Sequence, residues 1–203
     1  MPPFVSFAQN GEDVRLWHAF GPRKPHDAES LSYVEVGANE PWLGSATGAL
    51  YELGWRGLLI EPDADLAASL SAFRPEDSIV EAAAADTAQN LVFYRVPGTG
   101  LGTLDFDEAQ HAAERGFEVI EATVQARPLD DILDEWIAGR GTQEIHALTI
   151  DVEGAEAQVL SGLTLTKHRP WMLCIEAVAP GTPTPTHAMW EERVLESGYR
   201  AVA

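Results

Sequence analysis

The sequence predicts an α/β fold, Rossmann-like, with a mostly parallel central sheet and helices on both faces. Three observations carry this. Apolar runs at residues 33–36, 57–60, 145–150 and 171–175 read as buried strands. Segments with helical spacing of apolar residues lie between them. The runs end in a glycine or an acid, at Gly37, Glu61, Asp151 and Glu176. In open α/β sheets the ligand sits at those carboxyl ends.

The chain has 203 residues, 45% of them hydrophobic, enough for a single globular domain with a sizeable core. Residues 1–30 form an N-terminal lid and helix segment, and 31–203 the ligand-binding domain. Net charge is −19, from 32 acids against 13 bases. Such a surface repels phosphate backbones and anionic membranes, so neither nucleic acid nor membrane is an expected partner. The lone cysteine, Cys174, lies in an apolar run and reads as a buried thiol. The start lacks a basic, then apolar leader, and no apolar run reaches membrane-spanning length, so a cytoplasmic location is expected. Nothing in the sequence sets the oligomeric state.

Taken in order, a short amphipathic helix is expected from Glu12 to Phe20, after the turn Asn10-Gly11. Residues 21–30 read as a loop. Strand one ends at Gly37, whose missing Cβ allows a sharp turn and close ligand approach. Ser45 or Thr47 caps the next helix. Strand two follows Gly57. A helix over 63–73 puts Leu66, Leu70 and Phe73 on one face, and Arg74-Pro75 stops it. Residues 78–85 read as a third strand, whose small Ala83 and Ala84 could flank an adenine, with Asp86 accepting its amino group; plain small-residue packing is the competing reading. Strands over 91–96 and 117–126, a helix over 106–115 and a helix over 128–136 follow, with a turn at Gly139 and Gly141. Strand four leads into Asp151-Val152-Glu153-Gly154-Ala155-Glu156 and a helix. After strand five come a proline-rich loop over 180–185, a helix over 187–197 and the start of a sixth strand over 198–203.

The acid in strand one argues against a dinucleotide. A pyrophosphate cradle needs G-x-G-x-x-G and no carboxylate aimed at the phosphates, whereas this chain has Glu35-x-Gly37-Ala38-Asn39. A carboxylate there prefers a cation, such as the α-amino group of S-adenosylmethionine (SAM), which sits near a sulfonium. Glu61-Pro62 lies near the ~20-residue offset of a ribose-binding acid. Two unrelated acids at strand ends are the competing reading.

The chain resembles the FkbM-type SAM-dependent methyltransferases over nearly its whole length. The motifs are F-x-Q-x-G-E-D at 7–13, V-G-A-N at 36–39, Y-E-x-G-W-R-G at 51–57, I-E-P at 60–62 and R-P-x-D at 74–77. I-D-V-E-G-A-E at 150–156 is the most specific. R-P at 169–170, I-E-A at 175–177 and H-x-x-W-E at 187–191 complete the set. The resemblance implies a class I methyltransferase fold, SAM as donor and a hydroxyl acceptor on a small molecule, sugar or polyketide. Family members commonly have aspartate where this chain has Glu35, and continue beyond Gly198-Tyr199 with more strand.

Candidate roles follow. Asp151 is the base or orienter for the acceptor hydroxyl, with helix capping as its competing reading. Glu153 and His187 are the alternatives, as a first-turn acid and a surface histidine respectively if they are not catalytic. Gln9, Asn10 and Asp13 form a lid over the donor, or simply the turn that starts the helix. Donor contacts are expected from Glu35, Gly37, Ala38, Asn39, Glu61, Pro62, Ala84, Asp86 and Asp151. Asp151, Glu153 and Glu176 could make an oxygen site for Mg²⁺, but no metal is indicated. The rival function is a non-catalytic SAM- or nucleotide-binding module of a larger assembly. An NAD-dependent oxidoreductase is disfavoured by the missing second glycine.

Overall fold

The central strand β1 (Ser32–Val36) is buried at every position, and both its neighbours run parallel to it. The structure, a computed structural model, describes residues 4–20, 31–140 and 144–202. The expected loop over 21–30 and the turn at Gly141 lie outside the described residues. β1 pairs with β2 (Arg56–Ile60) on one side and β7 (Ala147–Ile150) on the other. β3 (Ser78–Val80) and β8 (Met172–Ile175) complete a five-stranded sheet of order β3-β2-β1-β7-β8. Every pairing in it is parallel. Val36 is level with Ile60 and Ile150, and Ile150 with Ile175, so the carboxyl ends form one rim.

Alternation along the strands builds two cores. Tyr33 and Leu59 face α1 (Glu12–Phe20), α2 (Gly48–Glu52) and α3 (Ala64–Phe73), packing on Leu16, Leu50 and Leu70. Val34, Val36, Leu58, Ile60, Leu148 and Ile150 face the other way. They pack on α5 (Leu129–Arg140) and α6 (Glu156–Ser161) through Ile132, Leu133, Val159 and Leu160. Helices therefore cover both faces, as the alternating pattern predicts. No helix among the described residues is long and apolar enough to cross a membrane.

A second, three-stranded sheet was not foreseen. Its order is β4-β6-β5, with β4 (Ala83–Ala85), β5 (Gln89–Arg95) and β6 (Ile120–Pro128). Residues 78–85 are thus not one strand. β3 ends at Val80, and the chain passes to the other sheet, where Ala83 pairs with Ala126. Three small residues pack equally well in either sheet, so periodicity cannot show the break. Phe73 is 61% exposed, off the buried face of α3. α5 runs through Gly139 instead of turning there. The last helix is split into a 3₁₀ turn at His187–Met189 and α7 (Glu191–Glu196). Tyr199 to Val202 carry no strand; Tyr199 instead packs on the core beneath α5 and α6 and donates its hydroxyl to Pro170 O at 2.6 Å.

Candidate functional site

The turn after β1 is held by β2 and by the acid that follows it. Gly37 and Ala38 both donate backbone N–H groups to Ile60 O, at 3.0 and 3.2 Å. Asn39, in the left-handed region at φ 50°, donates its N–H to Glu61 Oε2 at 2.8 Å. The other oxygen, Oε1, accepts the N–H of Asp63 at 2.9 Å, just after half-buried Pro62 and at the cap of α3. Each oxygen has one further acceptor position. Burial, opposed by these two backbone bonds, pushes the Glu61 carboxyl up to about 7. Gly37 has a different primary reason from the one its turn suggested. At φ +80° a Cβ would lie 1.9 Å from Asp151 O, so the glycine is required by the approach of β7 before any ligand arrives.

Glu35 lies beneath this turn and is fully engaged by protein. Its Oε1 accepts Ala46 N at 2.9 Å, its Oε2 accepts the Thr47 hydroxyl at 2.5 Å, and Ser45 Oγ lies 3.2 Å from Oε2. Arg74 Nη1 stands 3.6 Å away. Arg74 is 0% exposed and bonds Asp77, the Tyr33 hydroxyl and the Thr47 hydroxyl at 2.8, 2.7 and 2.7 Å. Burial raises the Glu35 pKa, and Arg74 is the largest opposing influence. Glu35 therefore fixes the 45–47 loop, and its carboxylate is not bare toward the rim. Sequence reasoning missed Arg74, Asp77 and Tyr33 as a group. The signal was there: an acid inside a buried run requires a buried partner, and R-P-x-D supplies it.

At the end of β7 three carboxylates converge. Asp151, Glu153 and Glu176 each place an oxygen within 4.8 Å of the others. Asp151 N–H continues the ladder to Val36 O at 3.1 Å, so its side chain emerges beside Gly37. Crowding away from water is the largest cause of the upward shift in all three acids. Asp151, the most exposed, is pushed up to about 6, Glu153 to about 8 and Glu176 to about 9. A hydrogen bond from Glu176 holds Asp151 down, whereas repulsion by Asp151 and other acids drives Glu153 and Glu176 further up. Such an oxygen set also suits a hard cation. Cys174, on β8, is half-buried and unbridged, and burial pushes its thiol up to about 11.

The remaining candidates separate. Gln9 and Asn10 are exposed. Asp13 is buried and closes the turn before α1, accepting from Ser6 Oγ, Phe7 N and Ala8 N at 2.7, 2.8 and 3.2 Å. That segment bridges Ala8 to Gly44, beside the loop that Glu35 holds. Ala84, on β4, is buried in the core beneath α5 and α6. Asp86 is exposed and lines a groove of about 410 Å³ with Tyr94, Leu104 and Gln158. His187 is half-exposed, with Glu191 4.0 Å away.

Two segments wall the acid cluster. A Cβ on Gly100 would come 2.6 Å from Asn39 Nδ2, so the 98–102 loop lies on the turn after β1. Gly154 faces Glu108 of α4 (Phe106–Glu114), and Gly181 faces Arg115 at its end. Helix α4 thus spans from the 151–154 turn to the proline-rich loop. Comparison with curated proteins and with solved structures found no match. The family model described as Methyltransferase FkbM domain matches residues 35–201, from the acid of β1 to the last residues after α7. The chain belongs to the FkbM methyltransferase family.

Proposed function

We propose that the chain is a SAM-dependent methyltransferase that methylates a hydroxyl of a small molecule, sugar or polyketide-type compound. The observation that supports it best is the shared rim. There the turn held by Glu61 meets Asp151, Glu153 and Glu176 in a member of a methyltransferase family. The residues fit the donor. The free acceptor positions of Glu61 suit a ribose diol, and an acid-rich rim suits a cation. When bound, SAM supplies a methyl activated on a sulfonium, and its transfer to an alcohol leaves a thioether and a proton. Asp151, ionised above about 6, takes that proton. Glu153 and Glu176, with values of about 8 and 9, are neutral at pH 7 and can donate hydrogen bonds. A rim of carboxyls with Glu108 as a further neighbour disfavours anionic acceptors.

Calorimetry with SAM and with NAD tests the donor. Micromolar binding of SAM alone is expected, and binding of NAD alone would refute the reading. Labelled methyl from SAM is then offered to a panel of glycosides and polyketide alcohols. Tight SAM binding with no transfer to any alcohol, amine or extract would favour a non-catalytic module.

A further inference from the structure

The I-D-V-E-G-A-E stretch contains an acid that the roles above leave unused. Glu156 is only 2% exposed, at the first position of α6. Its Oε1 accepts two backbone N–H groups, from Val152 and from Gly154, each at 3.2 Å. Those amides flank Glu153, which sits at φ 52°, and Gly154 follows at φ 103°. A non-glycine residue with positive φ is strained and persists only where its surroundings hold it. Here the turn is held twice. Glu156 grips it from within, and the Thr103 hydroxyl donates to Glu153 O at 2.9 Å from outside. Thr103 is itself fixed by two backbone bonds to Tyr94.

We propose that Glu156 is a positioning residue, whose buried carboxylate folds the 151–154 turn and so presents Asp151 and Glu153 to the acceptor. This rests on the reading of the rim given above. The role needs reach and an acceptor oxygen, and only secondarily a charge. Two variants separate those needs. Glu156→Gln keeps the reach and a carbonyl oxygen but loses the charge. Glu156→Asp keeps the charge but is one methylene too short to reach both amides.

Amide hydrogen exchange at Val152 and Gly154 is measured in the wild type and both variants, together with the carboxyl titration of Glu153 by ¹³C NMR. The groups facing Glu153 are Asp151, Glu156, Glu108 and Glu176. Both amides are expected to be protected in the wild type, to stay within about threefold in Glu156→Gln, and to exchange at least ~10-fold faster in Glu156→Asp. The Glu153 titration should fall toward the ordinary carboxylate range in Glu156→Asp, although the neighbouring charge is retained there. Unprotected amides in the wild type would overturn the proposal, as would a Glu156→Asp protein with wild-type exchange and titration. SAM calorimetry on the same samples keeps the two readings apart. Expected exchange without SAM binding refutes the donor assignment alone. SAM binding with unchanged exchange in Glu156→Asp refutes the role of Glu156 alone.

Discussion

Asp151 is a useful base only if it is ionised beside two neutral acids, and this makes a pH signature. Its pKa is raised, so the basic form appears above about 6; Glu153 and Glu176 lose their protons near 8 and 9. Turnover should therefore rise through pH 6 and decline above pH 8, the limbs belonging to the coupled group. Asp151→Asn keeps the shape while removing the charge. Its SAM dissociation constant should stay within a few-fold while turnover falls about 10²-fold or more. If affinity and turnover fall together, Asp151 positions the donor or holds a metal, and EDTA on the wild type tells these apart. Glu61 is tested by binding. Glu61→Ala should weaken SAM by about 1.5–3 kcal/mol, the scale of a hydrogen bond to a charged group. An unchanged calorimetric affinity in a folded variant would move the ribose elsewhere. That variant also frees the amides of Asn39 and Asp63, so circular dichroism must first show that it is folded.

At the scale of elements, the buried network around Arg74 ties the end of α3 to β1 and to the loop before α2. Removing one partner of a buried ion pair strands the others, at a cost of about 3–5 kcal/mol. Arg74→Met should lower stability by that amount in chemical denaturation. Adding Glu35→Gln and Asp77→Asn should restore part of it. A loss below about 1 kcal/mol would mean that water reaches the network. This network also shows what the sequence could and could not reveal. Which strand ends carry the rim was legible, because apolar runs that end in an acid or a glycine mark them; the order of the strands was not, since it rests on pairing between distant segments. Asp151, Glu153 and Glu176 were legible as neighbours for the same reason. The partner of Glu35 was not, because Arg74 is distant in sequence and reads as a helix stop. The second sheet was hidden by Ala83, Ala84 and Ala85, which have no face to declare. Gly37 was recognised as necessary, but its reason, contact with the backbone of β7, requires the paired strands.

For the whole molecule, the acids at the rim reverse the usual dependence of stability on pH. Most carboxylates in folded proteins have lowered values and stabilise at higher pH. Here Glu61, Glu153 and Glu176 have folded values of about 7, 8 and 9, above the ordinary value of 4.5. Between 4.5 and those values the folded chain binds more protons than the unfolded one. Stability contributed by these groups is therefore complete below about 4.5 and lost as pH rises through 7 to 9. The net charge of −19 acts in the same direction, since self-repulsion grows as the remaining acids ionise. The two causes differ in their response to salt. Repulsion among exposed charges is screened at 0.15 M or above, while a crowded cluster is screened much less. The melting temperature should fall from pH 6 to pH 9, and added salt should recover only part of the fall. Glu176→Gln removes one proton-binding group from the cluster and leaves the surface unchanged, so it should flatten the decline between pH 7 and 9 in high salt. A slope equal to that of the wild type would assign the whole effect to surface charge and would leave Glu176 ionised in the folded protein.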